Sequence, residues 1–161
     1  MCSSDLMNRV SDIARRAGLV FVTLLGAVGL ACADFRQTTD AATVAYEGPS
    51  AKATKQFIYS RGTPVEVVVT IEGWVKIRDA TGTLAWIERK ALGERSNVQV
   101  KSVVADIYAA PDAASPILFR ADNGVLLQVV TPQPPNAGAW TQVRHRDGQT
   151  GFVRLDSVFG L

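Results

Sequence analysis

The stretch from Trp74 to Leu92 returns in the same register from Trp140 to Val158. An offset of 66 carries Trp74 to Trp140, Ile77 to Val143, Arg78 to Arg144, Gly82 to Gly148, Trp86 to Phe152 and Leu92 to Val158. Upstream the offset is 62, carrying Tyr46 to Tyr108, Pro49 to Pro111, Phe57 to Phe119, Gly62 to Gly124 and Val67 to Val129. The four extra residues fall in TPQPPNAGA at 131–139, whose Pro, Gly and Asn content suits a lengthened exposed loop. One unit therefore occurs twice, over about 44–92 and 106–158. A repeat of that length made of short strands predicts two tandem small domains, not a solenoid.

Each copy reads as strand, glycine turn, strand. Val75 and Ile77 alternate with Trp74, Lys76 and Arg78, and Ala85 and Ile87 alternate with Trp86 and Glu88. That period of two marks half-buried strands. DATGT around Gly82 supplies turn chemistry, and RDGQ at 146–149 places an Asp-Gly pair at the matching point of the second copy. Further strands are expected from Tyr46, from Phe57-Ile58, at VEVVVTI 65–71 and VLLQVV 125–130, and around Val98 and Val100. No helical period stands out after residue 33. The pattern predicts an all-β chain: two tandem barrels, each a five- or six-stranded unit. Domain 1 is expected at 44–97 and domain 2 at 98–161, after a flexible lead-in at 34–43. Units of 50–60 residues sit near the lower size limit for independent folding, so a docked pair is expected.

Residues 1–33 read as a signal peptide. Arg9, Arg15 and Arg16 form a positive n-region, Ala17 to Leu30 is an uncharged apolar run, and Ala31-Cys32-Ala33 fits a small-x-small cleavage site. Met7 is an alternative start. The expected product is a periplasmic chain cut after Ala33, beginning at Asp34 and free of cysteine. Membrane attachment would need either an uncleaved leader or lipidation of Cys32. Loss of the leader's three arginines and two aspartates lowers the formal charge from +2 to +1, too little for a nucleic-acid footprint.

Candidate chemistry is sparse. His145 is the one histidine, and a hydrolase reading would pair it with Asp147 or Asp156 and some serine. The expected mature chain has no cysteine nucleophile, no His/Cys metal cluster and no phosphate-cradling loop, so neither metal nor cofactor is expected. The recurring rings at Tyr46, Trp74, Trp86, Tyr108, Trp140 and Phe152 are better candidates. Trp86 and Phe152 are expected in the barrel cores. Trp74 and Trp140 share a face with polar groups, where a ring forms a shallow shelf for a peptide or sugar. Arg78 and Arg144 have two open readings: capture of a ligand carboxylate at that shelf, or an ion pair with a strand neighbour. The tentative site is therefore Tyr46, Trp74, Arg78, Tyr108, Trp140 and Arg144.

Several motifs occur in fixed order. The first copy has Gly48-Pro49-Ser50, Gly62-Thr63-Pro64-Val65-Glu66-Val67, Gly73-Trp74-Val75-Lys76-Ile77-Arg78 and Gly82-Thr83-Leu84-Ala85-Trp86-Ile87. The second has Gly124, Trp140-Thr141-Gln142-Val143-Arg144 and Gly148-Gln149-Thr150-Gly151-Phe152-Val153. Over nearly all of 44–158 the chain resembles the bacterial SH3-like (SH3b) family. Ala85 departs from that pattern by replacing a glycine, and the second copy has Ala-Ala-Pro around Pro111 where Gly-Pro-Ser is expected. The resemblance implies SH3-like β-barrels that recognise cell-wall peptides or glycans. The leading expectation is a non-catalytic exported module binding peptidoglycan or a cell-envelope protein. An envelope assembly protein that buries its Trp faces in an interface is the alternative, and a hydrolase built on His145 ranks last.

Overall fold

Alternating side chains and glycine turns produce the expected ladders. A computed structural model describes residues 33–130 and 138–161. The leader up to Cys32 and most of the 131–139 loop lie outside the described residues. The first seven strands are β1 (Asp34–Thr38), β2 (Ala42–Tyr46), β3 (Lys55–Ser60), β4 (Pro64–Ile71), β5 (Trp74–Arg78), β6 (Leu84–Glu88) and β7 (Leu92–Gly93). The next seven are β8 (Asn97–Val100), β9 (Val104–Tyr108), β10 (Ile117–Asp122), β11 (Leu126–Val129), β12 (Trp140–Arg144), β13 (Thr150–Arg154) and β14 (Val158–Phe159). The helical content of the described residues is two 3-10 turns, Arg89–Ala91 and Leu155–Ser157. The order is β3-β2-β6-β5-β4-β1-β7 in one sheet and β10-β9-β13-β12-β11-β8-β14 in the other. The second is the first shifted by seven strands. Each repeat is thus the predicted SH3-like unit, with seven strands instead of five or six.

Each sheet closes around its own core. Ala45, Val65, Val75, Ile77, Ala85, Ile87 and Ala91 fill the first. Val98, Val100, Ala105, Ile107, Ala121, Leu127, Val143, Val153 and Val158 fill the second. These are the inward members of the alternation read from the sequence.

The lead-in expectation is corrected. Residues 34–43 contain β1 and the start of β2, and β1 pairs with β4 from Asp34↔Val67 to Gln37↔Pro64 and with β7 through Thr38↔Leu92. Thr38 is fully buried: its hydroxyl donates to the Ser60 carbonyl at 2.5 Å and accepts from the Thr63 N–H at 3.0 Å. A strand edge of β4 that would otherwise be open recruits this polar segment. Tyr46 closes β2 and does not open it. Asn97, expected in domain 1, begins β8 of the second sheet.

Residues 94–96 join the two sheets, and a docked junction surrounds them. The Arg95 guanidinium donates to the Gly160 carbonyl at 3.1 Å. The N–H and hydroxyl of Ser96 both donate to Gln37 Oε1 at 3.1 Å, and Asn97 Nδ2 donates to the Gly62 carbonyl at 3.1 Å. Phe35 meets Phe159 edge to face, with ring centroids 5.1 Å apart. Gly160, at φ 109°, is buried against Pro64.

Candidate ligand-binding faces

The strand period that sends Val75, Ile77, Ala85 and Ile87 inward sends their neighbours to the opposite face. There the register Tyr46↔Trp86, Trp86↔Lys76 and Trp74↔Glu88 gathers one cluster across β2, β6 and β5. Tyr46 and Trp74 pack edge to face, 5.4 Å between centroids at 88°. Lys76 Nζ lies 5.9 Å from the centre of the Trp86 ring, within cation–π reach. Lys90 ion-pairs with Glu88 at 2.6 Å. A groove of about 540 Å³, lined by Gly73, Glu88, Arg89 and Lys90, opens at the Trp74 end of this face.

The second repeat builds the same cluster with different polar trim. Tyr108 and Trp140 pack edge to face, 5.2 Å apart at 86°. Phe152 pairs with Tyr108 and Gln142, and Trp140 with Arg154. The Arg154 guanidinium carbon lies 5.9 Å from the centre of the Trp140 ring, and its NH2 group bonds Asp156 at 2.8 Å. Arg154 stands where the first repeat has Glu88. It escaped the sequence reading because it is a substitution within the repeat, and identity matching does not see substitutions.

All six rings are half-buried. That corrects the expectation for Trp86 and Phe152. Neither is in a core: they belong to the outer face, beside Tyr46 and Tyr108, while Ala85 and Gly151 point inward. Tyr46 with Trp74 and Tyr108 with Trp140 are brought together as expected.

The two arginines are not brought to the shelf. Arg78 is four residues from Trp74 along β5, about 13 Å by strand rise, and Nη1 bonds Glu66 of β4 at 3.0 Å. Its ion-pair reading holds. Arg144 sits opposite Gln128 and has no ion pair among the described residues. It lines a groove of about 570 Å³ with Asn97, Val125, Leu126, Gln128, His145 and Arg146.

His145 follows β12, and its Nδ1 lies 3.0 Å from Asp147 Oδ2. The Gln149 N–H, then His145, hold the Asp147 carboxyl below the ordinary carboxylate range. The His145 backbone closes the hairpin turn with Gln149 and Gly148, and Phe119 lies 5.9 Å from the imidazole. No serine or threonine hydroxyl bonds the imidazole among the described residues. In the first repeat Asp79 occupies the His145 position. Its Oδ1 accepts from the Thr81 N–H and hydroxyl and from the Thr83 N–H, and its Oδ2 accepts from the Tyr59 hydroxyl at 2.9 Å. Burial presses the Asp79 carboxyl upward, but hydrogen bonds from Thr81, Tyr59 and Thr83 outweigh it and hold it low. Burial first, and then Asp79, push the Tyr59 hydroxyl well above its ordinary value. In both repeats these contacts build the hairpin turn. The described residues contain no group of three His, Cys, Asp or Glu side chains placed for a metal.

The family of bacterial SH3 domains matches residues 40–94 and again 101–160. The chain belongs to that family. A comparison with curated proteins finds no match. Among solved structures, NlpC2 of Trichomonas vaginalis aligns at 16% identity and a TM-score of 0.34, over 78% of this chain and 46% of that one. NlpC1 of the same organism aligns at 17% and 0.36, over 79% and 45%. An NlpC/P60 family protein from Bacillus cereus aligns at 15% and 0.36, over 78% and 56%. This chain thus spans about half the length of those proteins.

Proposed function

We propose that this bacterial SH3 protein is an exported, non-catalytic binding module that recognises peptidoglycan or a cell-envelope protein through the aromatic faces of its two barrels. One observation carries the reading: an edge-to-face Tyr–Trp pair stands on the outer face of each repeat, at 5.4 Å and 5.2 Å. Half-buried rings offer a flat apolar surface at little entropic cost, and neighbouring Lys76, Glu88, Gln142 and Arg154 offer polar contacts to a sugar or peptide. The leader pattern supports export to the periplasm with cleavage after Ala33, and mass spectrometry of the secreted chain should find Asp34 first.

Co-sedimentation with purified sacculi tests the binding. Wild type should pellet, and the Trp74→Ala/Trp140→Ala double variant, checked for retained β structure, should stay in solution. Wild type remaining in the supernatant removes wall recognition.

A second reading is an envelope assembly partner. Apolar residues on the edge strands favour it: Ile58 on β3 is 71% exposed and Leu118 on β10 is 51% exposed, positions where an isolated protein usually carries charge. Loss of cross-linking to an envelope protein on Ile58→Lys, with both Trp retained, would favour that reading over the shelves.

A further inference from the structure

The two repeats carry opposite charge at one equivalent place. In the first, Arg78 faces Glu66 and is followed by Asp79 and Ala80. In the second, Arg144 faces Gln128 and is followed by His145 and Arg146. The change from glutamate to glutamine removes the counter-ion that Arg78 has at 3.0 Å. The change from alanine to arginine adds a second guanidinium. Asp147 returns one negative charge, but it is engaged at the turn with His145 and Gln149. The first repeat is left acidic here and the second basic.

In the second repeat these cations line a groove. Arg144, Arg146 and His145 share about 570 Å³ with the side chains of Val125 and Leu126, the Gln128 amide and Asn97. That volume lies in the range of small-molecule sites. Asn97 and Leu126 are also the residues that approach Gly62 of the first repeat, so the groove sits beside the junction. It lies at the opposite end of β12 from Trp140. Two guanidinium forks beside apolar side chains match an oxyanion carried on a small apolar body.

We propose that this groove is a second binding site, separate from the aromatic faces, for a carboxylate or phosphate group attached to a small apolar moiety. The site stands whether or not the aromatic faces bind wall material. A guanidinium without a counter-ion among the described residues has no such bond there to give up when an external anion arrives. In the first repeat Glu66 already occupies the corresponding fork.

Amide chemical-shift titration of the purified protein tests this with three probes: N-acetyl-alanyl-alanine, its C-terminal amide, and inorganic phosphate, each to about 10 mM, beyond the millimolar range expected of a single anion contact. The expected result is a shift confined to residues 125–128 and 144–146 with the free carboxylate and none with the amide, weakening as salt is added. An equal response to phosphate alone identifies the oxyanion as the ligand group and leaves the apolar part without a role. Gln128→Glu installs the counter-ion of the first repeat without threatening the fold and should weaken binding about tenfold or more; Arg144→Gln should do the same. Silence from all three probes, or shifts untouched by both substitutions, overturns the proposal.

Discussion

Ile107 and Gly151 share one volume in the second core. A Cβ built on residue 151 would collide with Ile107 Cγ2 and lie 2.8 Å from the Tyr108 carbonyl oxygen. The equivalent pair in the first repeat is Ala45 and Ala85, both buried. One barrel divides the space between two methyl groups, and the other gives it to a single sec-butyl side chain. This explains why Ala85 departs from the family pattern without cost: Ala45 has made room for it.

Gly151→Ala should therefore destabilise the protein by about 1–3 kcal/mol, as overpacking does. Ile107→Ala should cost about 2–5 kcal/mol through the cavity it leaves. The double variant, which rebuilds the first repeat's pair, should cost less than the two together by more than about 0.5 kcal/mol. Chemical denaturation of the four proteins measures the coupling, and strict additivity would contradict the shared volume.

Thr141 is buried in the second barrel, and its hydroxyl has no hydrogen-bond partner among the described residues. The first repeat places Val75 at that position, 4% exposed. Thr141→Val should raise stability by about 1 kcal/mol, because an unpaired buried hydroxyl is replaced by a methyl group. An upward shift of the denaturation midpoint at unchanged slope is the expected readout.

Asp79 ties the β5–β6 turn to Tyr59, and folding lowers its carboxyl pKa. The charged form is thus favoured in the folded state. Its contribution to stability is complete above the ordinary aspartate range and is lost as pH falls through the lowered value. Asp79→Asn should flatten the acid limb of the stability profile. Tyr59→Phe should cost about 1.5–3 kcal/mol near neutrality, the range for a hydrogen bond to a charged acceptor, and should return the Asp79 titration, followed by NMR, toward the ordinary range.

Gly160 lies at φ 109°, and a Cβ there would fall 2.7 Å from Pro64 Cβ and 3.3 Å from the Asn97 carbonyl oxygen. Gly160→Ala strains both backbone and junction, and should cost more than about 1 kcal/mol. The two barrels should also begin to unfold in separate steps. Calorimetry showing one transition at an unchanged midpoint would contradict the strain expected at Gly160.

The hairpins of β5–β6 and β12–β13 were legible because valine, isoleucine and aromatic residues alternate cleanly around a glycine turn. β1 was not. Its counterpart β8 shows Val98 and Val100, but β1 has Arg36 and Thr38 at those places, and hydrogen bonding and ladder edges hold it instead of apolar pattern. The Tyr–Trp pairs were legible from equal spacing in both copies. The partner of Arg78 was not, because its register to Glu66 passes through the irregularity between Val67 and Val69. The outward placement of Trp86 and Phe152 is written in the alternation with Ala85 and Val153, which a reading by ring size alone misses.

The three residues at 94–96 reach only about 10 Å even when extended, and their side chains and neighbours are stapled to both barrels. The two Trp-bearing shelves therefore cannot wander independently, as they would on a flexible tether. On the proposed reading, a fixed gap would let a polymer of matching spacing be gripped twice, the second time nearly free of entropic cost, and would hold one of other spacing only once.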